Sequence, residues 1–69
     1  MSFARRKVLQ ALARRDVLVV REGKAHTILR SAAGRQSSLP RHSQLNRVTV
    51  RKVVEQLELN WERVEKDLT

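Results

Sequence analysis

The run VLVVREGKAHTILRSAAGRQSSLP, residues 17–40, decides the fold. Residues 17–21 are β-branched and compact, the composition of a strand. Residues 22–24 contain Gly23 and read as a turn, and 25–31 as the returning strand. Residues 32–35 contain Gly34 and give a second turn. Residues 36–39 form a short third strand, stopped by Pro40, whose missing N–H and fixed φ suit a strand end. Parallel pairing needs a crossover of a dozen or more residues, and none is available here. The sequence therefore predicts a three-stranded antiparallel meander.

Upstream of the meander, Val8, Leu9 and Leu12 supply a narrow apolar stripe at helical spacing, with Ala4 and Ala11 beside it. Ser2 is placed to cap this first helix, and Asp16 to end it. Downstream, residues 40–46 read as a polar loop. A second helix is expected to start near Thr49, with Asn46 as the other candidate cap. Val50, Val53, Val54 and Leu57 follow the i, i+3, i+4, i+7 pattern. Asn60 can cap a short final helix, with Leu59 and Val64 at the staple positions around it. The expected order is α-β-β-β-α plus a short C-terminal helix: an α+β fold in one domain over 1–69. Two helices on one face of the sheet leave the other face open for a ligand.

A chain of 69 residues, 41% of them hydrophobic, sits near the lower limit for a self-sufficient core. Too few residues remain to wall off a deep cofactor cavity, so no cofactor is expected and any site should lie on the surface. The formal charge of +8 is unevenly spread: residues 1–53 balance at +11 and residues 54–69 at −3. Ten arginines precede Lys52, and arginine favours bidentate phosphate contact. A cationic body of this kind points to a phosphate backbone as partner, because each neutralised phosphate releases counterions. There is no cysteine, which removes disulfides, thiolate nucleophiles and cysteine-based zinc sites and fits a reducing cytoplasm. The longest apolar run, residues 17–20, is far too short for a signal core or a membrane span.

The histidines are His26 and His42. Neither belongs to a cluster with metal-ligand spacing, no glycine-rich phosphate loop is present, and no serine nucleophile motif accompanies them. Strand alternation puts His26, Ile28 and Arg30 on one face and Ala25, Thr27 and Leu29 on the other. The compact second set suits the face beneath the helices, so His26 and Arg30 should share the open face. RNA brings its own nucleophile, the 2′-hydroxyl. Cleavage then needs a group that moves a proton near neutral pH, as imidazole does, and cations that stabilise the crowded phosphate, for which Lys24, Arg30 or Arg41 are available. On spacing alone, His26 reads equally well as an ordinary surface residue. His42 either positions phosphate or, the favoured reading, hydrogen-bonds the loop before the second helix. Trp61 either stacks on a base or packs onto the core or a partner. The surrounding acids favour packing.

Residues 21–28 (REGKAHTI), Gly34, the run Leu39-Pro40-Arg41-His42 and residues 49–53 (TVRKV) occur in an order and spacing that resemble the HicA family of toxins. The resemblance covers nearly the whole chain. It implies a fold like the double-stranded-RNA-binding domain, an mRNA-cleaving endoribonuclease without metal or cofactor, and a HicB-type antitoxin as protein partner. It implies His26 as the catalytic residue, with Lys24, Arg30, Arg41 and His42 on the RNA. The family's histidine usually follows Gly-Ser. Here Lys24-Ala25 precedes it, keeping the small residue and losing the hydroxyl. A non-catalytic RNA-binding module is the alternative. A DNA-binding regulator fits less well, since Arg51 and Lys52 stand nearly alone on the best helix as groups that could read base edges.

Overall fold

A computed structural model describes residues 2–69. It contains β1 (Ser2–Ala4), α1 (Arg5–Ala13), β2 (Leu18–Glu22), β3 (His26–Arg30), β4 (Gln36–Pro40), β5 (Gln44–Asn46), α2 (Arg47–Gln56) and α3 (Trp61–Leu68). The meander is present as a three-stranded antiparallel sheet in the order β2-β3-β4. The helices supply the expected α-β-β-β-α order and the short third helix. Among the described residues no helix is long and apolar enough to cross a membrane.

The ends of the first and second helices differ from expectation. Ser2 does not cap α1. It lies in β1, which pairs antiparallel with β5, so Ser2 faces Asn46 and Phe3 faces Leu45. The stretch read as a polar loop therefore contains a strand, and Pro40 closes β4 rather than opening the loop. The second helix begins at Arg47, not near Thr49, because Asn46 is the cap: its side chain accepts from the Val48 N–H at 2.7 Å. Asn46→Ala is expected to cost about 1 kcal/mol, read as a lowered urea midpoint, because that N–H loses its acceptor. Asn60 caps α3 as expected, accepting from the Arg63 N–H at 3.1 Å.

Asp16 ends α1 by a definite mechanism. It takes a left-handed φ of 62°, and the Val17 N–H reaches back to Leu12 O at 3.2 Å while its own N–H reaches Ala13 O at 3.1 Å. Glu58 repeats this after α2 with φ 59°, where the Leu59 N–H bonds Val54 O at 3.0 Å. Such closures satisfy the last helical carbonyls, and glycine usually occupies this position.

The core lies between one face of the sheet and the helices. Thr27 and Leu29 of β3 and Ser37 and Leu39 of β4 are buried, while His26, Arg30, Gln36 and Ser38 are exposed. Strand periodicity and register agree: Thr27 pairs with Leu39, and Leu29 with Ser37. The inward set meets Val8 and Leu12 of α1, Val50, Val53 and Val54 of α2, and Val64 and Leu68 of α3. Ala25, expected to point inward, is exposed in the turn before β3. Trp61 is a core residue, edge-on to Phe3 with ring centroids 6.5 Å apart and beneath the Arg47 guanidinium.

The acidic tail folds back onto the body. Asp67 pairs with Arg15, Glu65 with Arg47 and Glu58 with Arg35, each at 2.8 Å, and Glu55 pairs with Arg51 at 3.6 Å. Exposed pairs of this kind stabilise little. Their larger effect is on the charge distribution, since they neutralise Arg15, Arg35, Arg47 and Arg51. Arg21, Lys24, Arg30 and Lys52 form no ion pair among the described residues, and neither do Arg6, Lys7 and Arg14 on the outer side of α1.

Candidate functional site

His26 begins β3 on the open face, opposite Pro40 of β4. Its placement depends on the hairpin before it. The Gly23 N–H donates to the His26 carbonyl at 2.8 Å, and a Cβ on residue 23 would stand 3.0 Å from that same oxygen. Any side chain there presses on the backbone that carries the imidazole.

A polar network fixes this end of the sheet from the inner side. Arg5 of α1 donates to Thr27 Oγ1, and Thr27 Oγ1 donates to Glu22 Oε1. Arg5 Nε also reaches the Pro40 carbonyl at 3.4 Å. One side chain thus ties β3 and β4 together next to His26 and reaches β2 through Thr27. Thr27 is fully buried, and its hydroxyl is satisfied as both donor and acceptor, which removes the usual cost of burying it.

Glu22 faces this network because of a β-bulge between Val19 and Arg21. With an unbroken alternation from Leu18, Arg21 would point inward and Glu22 outward. The extra residue exchanges them. Glu22 then sits opposite Thr27, and Arg21 sits opposite Ile28 on the open face. Arg21 was not singled out from the sequence, because a bulge leaves no trace in the pattern of residue types.

The open face therefore carries His26, Ile28 and Arg30 from β3 and Arg21 from β2. Arg30 lies four residues beyond His26, roughly 13 Å along the strand. Arg30 is on the expected face, and its guanidinium lies by Gly34, in the turn beyond the end of β3 opposite to His26. Lys24 is exposed in the turn beside His26. Arg41 is engaged within the protein: Nη1 donates to Gly23 O at 3.0 Å and stands 4.0 Å from Glu22 Oε1, while its backbone N–H donates to Ala25 O. It clamps the hairpin that carries His26. His42 is exposed and makes no side-chain hydrogen bond among the described residues, so the loop is not held by its ring.

A shallow groove of about 200 Å³ opens beside His26. His26, Ser38 and Pro40 form its sheet side, and Thr49, Lys52 and Gln56 of α2 form its far wall. These three follow at i, i+3 and i+7, a single helical row, and lie beside the buried Val50, Val53, Val54 stripe. That row was legible as polar positions flanking the apolar stripe. That it faces His26 depends on α2 packing against β4. Ser37 Oγ donates to Gln56 Oε1, which leaves the Gln56 amide N–H₂ without a hydrogen-bond partner among the described residues. No Phe, Tyr or Trp ring lines the open face, since Phe3 and Trp61 are both in the core.

The site offers one imidazole, an ammonium in the same groove, and further cations along an exposed strand face. No family model matches the chain, and neither a curated protein nor a solved structure is significantly similar to it.

Proposed function

We propose that this chain is a metal-independent endoribonuclease that cleaves mRNA with His26 as general acid or base, a toxin held in check by a HicB-type antitoxin covering the open face. The double-stranded-RNA-binding-domain-like arrangement implied by the sequence resemblance fits the helices lying on one face of a β2-β3-β4 meander. The observation that carries the reading is the exposed His26 on the sheet face turned away from the core, with unpaired Arg21 on that face, unpaired Lys24 in the adjoining turn and unpaired Lys52 of α2 in the adjoining groove.

In the reaction the substrate's 2′-oxygen attacks the adjacent phosphorus. The P–O2′ bond forms and the P–O5′ bond breaks. The 2′-hydroxyl proton goes to a base, and the departing 5′-oxygen receives one from an acid. His26 serves one of these transfers and water the other. With no Phe, Tyr or Trp ring available for stacking, affinity comes mainly from phosphate contacts, and binding should weaken steeply with salt.

The test is cleavage of a defined RNA by the purified chain in excess chelator, compared with the same oligonucleotide made entirely of DNA. The expected products are a 2′,3′-cyclic phosphate and a 5′-hydroxyl, with the DNA intact. Cleavage of the DNA, or a requirement for added metal, would overturn the reading. One observation favours a second reading, a non-catalytic RNA-binding module: the His26 ring has no hydrogen-bond partner among the described residues to orient it. That reading predicts salt-sensitive RNA binding with no cleavage products in the same assay.

A further inference from the structure

The cations proposed from the sequence to assist His26 are ill placed for the phosphate it would act on. Arg30 is roughly 13 Å away along β3. Arg41 already serves Gly23 O and Glu22. Lys24 lies in the turn and does not line the groove. Lys52 does line it, is exposed, and has neither an ion pair nor a hydrogen bond among the described residues. An ammonium is a compact point charge on a flexible stem, suited to following a phosphate oxygen rather than clamping it. Thr49 and Gln56, one helical turn to either side, add a hydroxyl and an amide N–H₂.

The groove also limits what can enter. Its volume of about 200 Å³ is below the ~300–1,000 Å³ of sites that enclose a whole drug-sized ligand. A phosphate fits this combination of small volume, open mouth and the donors of Thr49, Lys52 and Gln56, which stand beside apolar Pro40 and Val53. For a base the groove offers less, since the His26 ring is the one lining side chain that could stack on it.

We infer that the groove between β4 and α2 is a single-phosphate site of nucleotides, with the Lys52 ammonium as its anchor and Thr49 and Gln56 as neutral donors. This inference rests on the nuclease reading only in assigning that phosphate as the one His26 acts on. The phosphate site itself can be measured without cleavage.

The experiment is an NMR titration of the full chain with uridine 3′-monophosphate, with uridine as the control. Shifts should concentrate at His26, Thr49, Lys52 and Gln56, and uridine should produce none of them. Lys52→Gln should raise the Kd about tenfold or more, the loss expected for one charge-assisted contact, and Lys52→Arg should recover most of it. Lys52 is exposed on a helix and Gln has similar helix propensity, so the variant keeps its fold. Equal nucleotide binding by Lys52→Gln overturns the inference. So does equal binding of uridine, a set of shifts centred on Arg6, Lys7 and Arg14 instead, or no binding to the wild-type chain. In parallel, RNA cleavage by Lys52→Gln should fall through kcat as well as KM. A wild-type chain that binds the nucleotide in the groove but cleaves no RNA would remove the nuclease reading and leave the phosphate site standing. A chain that cleaves RNA with Lys52→Gln unaffected in both assays would do the reverse.

Discussion

Replacing His26 by alanine is expected to lower RNA cleavage by about 10²–10⁴-fold, the range for loss of a positioned general acid or base, with the fold intact. The second half of that expectation follows from the geometry. His26 is exposed and its ring bonds nothing among the described residues, so alanine leaves no cavity and no orphaned partner. The backbone contacts that seat it, from the Gly23 N–H and across to Pro40, do not involve the ring. Surface changes of this kind stay within about 0.5 kcal/mol. The urea midpoint should not move, and RNA affinity should persist because Arg21, Arg30 and Lys52 remain. Undiminished cleavage by His26→Ala, with growth arrest unchanged in cells, would remove the histidine from the mechanism. A joint loss of binding and cleavage would make it a binding residue instead.

The period-2 face of β3, the turns at Gly23 and Gly34, the apolar stripe of α2 and the Asn60 cap are legible in the sequence because each is set by residues within a few positions of one another. Non-local pairings are not. Ser2–Ala4 is three residues with no alternation to recognise, and its partner lies some forty residues away at Gln44–Asn46. The bulge that turns Arg21 outward is invisible in residue types. Arg41 reads as a free cation in its Leu-Pro-Arg-His context, and only the folded hairpin brings Glu22 and Gly23 O to it. The groove is the same kind of case. Thr49, Lys52 and Gln56 are an ordinary solvated helix row until α2 docks against β4 and gives them His26 as a neighbour. The acidic tail is a further case: the short final helix is legible from Asn60 onward, and only the folded chain shows Trp61, Val64 and Leu68 closing the core.

Leu39→Ala is expected to remove most of the stability of the chain. Leu39 is fully buried on β4, in register with Thr27 and in the same core as the α2 stripe. Truncating a buried leucine to alanine costs about 2–5 kcal/mol, because the cavity collapses only in part. A domain of 69 residues has roughly 3–10 kcal/mol in total. The loss is therefore comparable to the whole. With a urea slope near ~1 kcal/mol per molar, usual for a small domain, the midpoint should fall by about 2 M or more, by far-UV circular dichroism and by Trp61 fluorescence alike. Leu39→Met, which keeps the volume, should cost less than about 1.5 kcal/mol. The consequence reaches the site, since the neighbours of Leu39 in β4, Ser38 and Pro40, form the sheet side of the groove facing Lys52. At urea concentrations where the variant is still mostly folded, nucleotide binding in the groove should already be weakened, because β4 has lost the anchor that holds it against α2. A midpoint shift under about 0.5 M would mean that β4 does not depend on Leu39 for its seat, and that the groove is held by the Arg5–Thr27–Glu22 network and the Arg5–Pro40 contact alone.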